Sequence, residues 1–112
     1  MTNTQVDKKI YKLHAELCKT LANPIRLEIL SLLRDGERSV SELTALTGVR
    51  QATISQHLAV LRQRRVVSTR KEGANIFYKI ANPKIVEACD LIRTVLFEQL
   101  AEMENLVKVA VR

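Results

Sequence analysis

Residues Ser39-Val40-Ser41-Glu42-Leu43-Thr44-Ala45-Leu46-Thr47-Gly48-Val49-Arg50-Gln51-Ala52-Thr53-Ile54-Ser55-Gln56-His57-Leu58-Ala59-Val60-Leu61-Arg62 carry the strongest structural signal in the chain. Ser39 with Glu42 three positions later is a capping-box pattern, so a helix starts at Ser39. That helix is short, with Leu43 and Leu46 as its apolar positions, and Thr47-Gly48-Val49 reads as a tight turn. A second helix follows from about Gln51 to Arg64. Two short helices about a tight glycine-containing turn form a helix-turn-helix, here at about residues 39–64. In such a pair the second helix is the one that enters the major groove of duplex DNA, which is wide enough for one α-helix.

The faces of that second helix follow from a rotation of about 100° per residue. Ile54, Leu58 and Leu61 fall together and should face a core, whereas Ala52, Ser55, Gln56, Ala59, Arg62 and Gln63 fall opposite. An outer face built this way suits groove reading. Alanines let the backbone approach, and Ser, Gln and Arg supply hydrogen bonds to base edges or phosphate. A face made only for solubility would carry Glu and Lys, and no acidic residue occurs on this helix. The candidate DNA contacts here are Arg50, Gln51, Thr53, Ser55, Gln56, His57 and Arg62. His57 lies at the edge of the apolar face, where a lone histidine reads as packed or phosphate-bonded rather than as a metal ligand.

After Arg65 the period changes. Val66-Val67-Ser68-Thr69-Arg70 and Ile76-Phe77-Tyr78-Lys79-Ile80 are rich in β-branched and aromatic residues, and Lys71 to Asn75 joins them through Gly73. This predicts a hairpin at about residues 66–80, a wing with Arg70 and Lys71 near its tip and Asn75 opposite. Contacts from such a wing would position the protein and add a salt-dependent term rather than read sequence.

Upstream, Val6, Ile10, Leu13 and Leu17 form one apolar stripe of a first helix at about residues 4–20. Asn23-Pro24 then reads as a cap and the first helical position, opening a helix through Leu27, Leu30 and Leu33 that Gly36 ends. Asn82-Pro83 repeats the start signal, and a long last helix covers about residues 84–108. Its apolar positions Ile85, Cys89, Ile92, Leu96, Met103, Leu106 and Ala110 follow a seven-residue repeat broken by Gln99, widened by Val86, Phe97, Leu100 and Val107. Such a seam can pair with another helix. The expected fold is therefore mainly α with a small β-hairpin, a single winged helix-turn-helix domain over residues 1–112 whose long terminal helices form a homodimer interface.

Composition agrees with this reading. A chain of 112 residues suits one domain, and pairing two copies would help so small a core. The net charge is +6, which points to an anionic partner. Arg50, Arg62, Arg64, Arg65, Arg70 and Lys71 occur with no acidic residue between positions 50 and 71, whereas residues 84–104 are predominantly acidic. No apolar run reaches the ~20 residues of a membrane span, and Met1 to Lys9 lacks the apolar core of a signal peptide. These features predict a cytoplasmic protein with no membrane partner and with reduced cysteines.

Leu21-Ala22-Asn23-Pro24-Ile25-Arg26-Leu27-Glu28-Ile29-Leu30 resembles the start of the second helix of the bacterial and archaeal ArsR/SmtB repressors. Thr53-Ile54-Ser55-Gln56-His57-Leu58-Ala59-Val60-Leu61-Arg62 resembles their recognition helix, and Glu72-Gly73 followed by Ile76-Phe77-Tyr78 resembles their wing. The resemblance covers roughly Leu17 to Pro83. It implies a homodimeric repressor on a double-stranded DNA operator, formed through the first and last helices and released by an effector.

The chain also departs from that family. Arg50 stands where the family usually has Ser before the Gln that opens the recognition helix, which removes a helix cap and offers a phosphate contact. Where some members hold metal through cysteines in the third helix, Ser39, Val40 and Ser41 offer no thiolate. Where others hold zinc in the last helix, Asn82, Lys84 and Val95 leave only Glu98. The cysteines of the family's persulfide sensors are replaced by Ser31 and are absent near Phe97.

What remains for an effector is Cys18 and Cys89 with His14, a thiol set suited to a soft metal, arsenite or an oxidant. The alternative is that both cysteines are small buried apolar residues with no cofactor at all. Catalysis has no support, because the chain lacks a phosphate-binding glycine loop, a carboxylate–histidine cluster and a nucleophile motif. A winged-helix protein-interaction module without effector or DNA role is the competing reading, against which the basic stretch weighs.

Overall fold

The computed structural model describes residues 3–111, with side chains from Asp7 to Ala110. The chain divides into a unit ending at Asn82 and a second beginning at Pro83. The first contains α1 (Asn3–Leu21), α2 (Pro24–Leu32), β1 (Arg38–Ser39), α3 (Val40–Thr47), α4 (Gln51–Gln63), β2 (Val67–Glu72) and β3 (Asn75–Ile80); the second is a single helix, α5 (Pro83–Val111). Among the described residues no helix is long and apolar enough to cross a membrane. The side chain of Val6 lies outside the described set, as do Met1 and Thr2 at the chain start.

Local chemistry sets the boundaries. Asn23 caps α2, its Oδ1 accepting from the backbone N–H of Ile25 at 2.9 Å and of Arg26 at 3.2 Å. Pro24 follows at a position whose missing N–H costs nothing. Ser39 caps α3 with the full capping box: Ser39 Oγ accepts from Glu42 N–H at 3.2 Å, and Ser39 N–H donates to Glu42 Oε1 at 3.1 Å. Gly48 ends α3 at φ +70, in the left-handed region that glycine reaches without a side-chain clash.

The end of α2 differs from expectation. The helix stops at Leu32 with Leu33 as its cap, and Gly36 comes three residues later. Leu33 is buried, and the Leu32 carbonyl takes a hydrogen bond from Arg38 Nε at 2.8 Å. A side chain from the next element therefore satisfies an orphan carbonyl, with no glycine turn directly after the helix.

α4 ends with Arg65 at φ +62, where Val66 N–H reaches back to the Leu61 carbonyl at 2.8 Å and Arg65 N–H to that of Arg62 at 3.0 Å. That is the Schellman arrangement, made here with an arginine in the left-handed position that glycine usually holds.

The wing is larger than a hairpin. β2 and β3 pair antiparallel from Val67↔Ile80 to Glu72↔Asn75, closed by a turn at Gly73 and Ala74 with Gly73 at φ +60. β1 pairs with the other edge of β3, Arg38↔Tyr78 and Ser39↔Phe77, giving the order β1-β3-β2. Beneath the wing, Ile29, Leu30, Leu33, Leu43, Ile54, Leu58, Leu61, Val66 and Val67 form a core with at most 2% exposure. Each such aliphatic side chain contributes about 1.5–3 kcal/mol on burial.

In the second unit, α5 leaves Leu91, Ile92, Val95, Leu96, Phe97, Leu100, Met103, Leu106, Val107 and Val109 exposed. Ile92, Leu96, Phe97, Leu100, Met103, Leu106 and Val107 belong to the stripe expected from the heptad pattern, whereas Leu91, Val95 and Val109 lie outside it and its members Val86 and Cys89 are buried.

Candidate nucleic-acid interface

α3 and α4 meet at the turn after Gly48, and the two faces of α4 separate cleanly. Ile54, Leu58 and Leu61 have no exposure. Ala52, Ser55, Gln56, Ala59, Arg62 and Gln63 are all exposed, while Thr53, His57 and Val60 lie half-buried between the faces. Gln51 and Arg50 are exposed at the start of the helix. Arg50 occupies the N-cap position without a side-chain cap bond, so the first-turn N–H groups of α4 receive none from it.

His57 is fixed by a contact that the sequence does not announce. Arg26 Nε donates to His57 Nδ1 at 3.1 Å, and Arg26 Nη1 donates to the Thr20 carbonyl at 3.0 Å. One arginine near the start of α2 thus links the end of α1 to α4. Burial, and then the Arg26 charge, hold the His57 imidazole below its ordinary pKa, so the ring is neutral at neutral pH. With Nδ1 accepting, the neutral ring carries its proton on Nε2.

The basic stretch divides once folded. Arg64 Nη1 lies 3.9 Å from Glu16 Oε2 of α1. Arg70 Nε donates to both carboxylate oxygens of Glu37, at 3.1 and 3.0 Å, and its Nη1 donates to Glu72 at 2.8 Å. Its guanidinium also stacks 4.9 Å from the centre of the Phe77 ring. Glu37 first and Glu72 second raise the Arg70 pKa above its ordinary value.

A run without acidic residues is therefore not a surface without them. Among the described residues Arg50, Arg62, Arg65 and Lys71 keep their charge without a carboxylate partner. Lys71 and Asn75 are exposed at the wing tip, as expected.

The residues considered for a thiol site are placed differently. Cys18 and His14 are exposed on α1, and Cys89 on α5 is buried. Among the described residues no three His, Cys, Asp or Glu side chains gather to hold a metal ion.

Comparison with known proteins gives this geometry a lineage. Residues 23–69 match the family model of bacterial regulatory proteins of the arsR family. An HTH-type transcriptional regulator of Mycobacterium tuberculosis, Rv0081, is 44% identical over 94 residues, covering 83% of this chain and 82% of the relative. The chain belongs to the ArsR family.

A second relative, the biofilm growth-associated repressor of Agrobacterium fabrum, is 46% identical over 92 residues, covering 82% of this chain and 76% of its own. The crystal structure of Rv0081 superposes with a TM-score of 0.75 over 83% of this chain and 94% of that one. A homodimeric winged helix-turn-helix DNA-binding domain from Mycobacterium bovis, solved in solution, is 32% identical with a TM-score of 0.76, covering 89% of this chain and 91% of that one. The fold is thus a winged helix-turn-helix, mainly helical with a three-stranded antiparallel sheet. The first of these relatives is named as a transcriptional regulator and the second as a repressor.

Proposed function

We propose that this protein is a homodimeric, sequence-specific DNA-binding repressor that acts by binding rather than by catalysis, in the cytoplasm where its operator lies. The observation that carries the reading is the outer face of α4. It is polar, exposed and free of acidic residues, on the second helix of a helix-turn-helix. Ser55, Gln56 and Arg62 would read base edges there, with Thr53 and His57 at the margin. Arg50, Gln51 and the uncapped N–H groups of α4 would meet phosphate, since a helix N-terminus favours an anion. Lys71 and Asn75 would add the wing contact.

α1 (Asn3–Leu21) and α5 (Pro83–Val111) would join two copies. The exposed apolar stripe of α5 supports this, as does the homodimeric state of the Mycobacterium bovis domain. The helix-turn-helix at about residues 39–64 and the wing at about 66–80 would then be presented twice to a two-fold operator. Release by a soft metal, arsenite or an oxidant would fall to Cys18 and Cys89 with His14. His14 and Cys18 stand one turn apart and exposed on α1, which supports that part of the reading.

Selection of bound fragments from the source genome, followed by titration against the selected and random duplexes, tests the function. Expected is salt-dependent binding to both, tighter to the selected site. Salt-independent or absent binding would leave a winged-helix interaction module instead. Zinc or arsenite added to the operator complex tests the effector: no release at saturation removes the thiol site.

A further inference from the structure

Arg70 looks in sequence like the cation that a wing offers to phosphate, but its surroundings are those of a buttress. Its guanidinium is gripped by Glu37, from the loop before β1, and by Glu72, two residues along its own strand. It also lies over Phe77, its cross-strand partner in β3. Nε and Nη1 are thus both committed to carboxylates of the protein, although the side chain remains about half exposed. The cluster holds one cation and two carboxylates, so its net charge is negative and it repels phosphate.

Strand alternation puts Lys71 on the opposite face of β2, away from this cluster. Lys71 is exposed, and among the described residues it makes no ion pair.

We infer that Arg70 is a positioning residue that locks the wing to the loop before the helix-turn-helix, and that Lys71 is the wing's phosphate contact. This rests on the DNA-binding reading given above. A guanidinium suits the locking role and an ammonium does not, because only the planar fork can take both Glu37 oxygens, reach Glu72 and stack on a ring at once. Lys71, a flexible point charge, suits a backbone that must be met without sequence preference.

The test is a salt titration of binding to random duplex DNA by the full chain and three variants, each first checked for folding by thermal unfolding. Lys71→Gln should flatten the slope of log affinity against log salt by about one unit per wing. Arg70→Gln should lower affinity roughly threefold while keeping the wild-type slope. Arg70→Lys keeps the charge and should show the same loss as Arg70→Gln, and it carries the test if Arg70→Gln fails to fold.

If Arg70→Gln flattens the slope as Lys71→Gln does, or Arg70→Lys binds like the wild type, Arg70 touches phosphate and the inference is overturned. If the unaltered protein shows no salt-dependent binding, the DNA reading itself falls and takes the role of Arg70 with it.

Discussion

Arg26 Nε donates to His57 Nδ1 across 3.1 Å, although the residues lie 31 positions apart. This bond requires an unprotonated Nδ1, so protonation of the ring ends it and sets two cations side by side. The folded pKa lies below the ordinary value of 6.5, with burial the larger cause and Arg26 the second. In the unfolded chain the ring takes up its proton at its ordinary pKa, whereas in the folded chain it resists. The stability from this neutral ring is therefore complete above pH 6.5 and is lost as pH falls through that value toward the lower folded one.

His57→Asn keeps an acceptor near the position of Nδ1 and removes the titration. Urea unfolding from about pH 7.5 to about pH 5.5 should show a steeper loss in the wild type than in this variant. Parallel curves would mean that the Arg26–His57 pair does not sense pH.

Gln56 and Arg62 stand exposed on the outer face of α4 without a carboxylate neighbour among the described residues. Gln56→Ala and Arg62→Ala should each cut operator affinity about tenfold or more, the value of a bidentate base contact. Gln56→Ala should leave binding to random duplex nearly unchanged. Fluorescence anisotropy on the two duplexes checks this, and equal losses on both would move these residues from base edges to the backbone.

Backbone conformation makes two predictions of opposite sign. A Cβ built on Gly48 meets no atom within 4 Å, so Gly48→Ala suffers only the strain of φ +70. It should lose about 1 kcal/mol by urea denaturation, and Gly48→Asn should lose less. Arg65 already bears that strain at φ +62, so Arg65→Gly should gain roughly 0.5 kcal/mol.

Leu96 is half exposed at the centre of the α5 stripe. A glutamate there would place a charge inside a helix–helix seam, so Leu96→Glu should sediment as a monomer and lose most operator affinity. A dimer that survives the substitution would shift the interface away from this stripe.

What the sequence made legible was local. The Asn23 and Ser39 caps, the Gly48 turn and the division of α4 into two faces rest on residues within a few positions of one another, where helix geometry has little latitude. β1 was not legible, because Arg38 and Ser39 are too few to show alternation and pair with residues near 78. Gly36 does not close α2, because the group that satisfies the Leu32 carbonyl is the side chain of Arg38, six positions on. His57, Glu16 and Glu37, the distant partners of Arg26, Arg64 and Arg70, lie 31, 48 and 33 positions away, so a charge count along the basic run could not find them.

Ser39 belongs to two structures at once, as the cap of α3 and as a rung of the sheet opposite Phe77. The wing and the first helix of the pair consequently share a peptide unit rather than a flexible tether. A pull on either handle is felt at the other, so the helical grip and the β-ribbon grip on a duplex should engage and let go in concert.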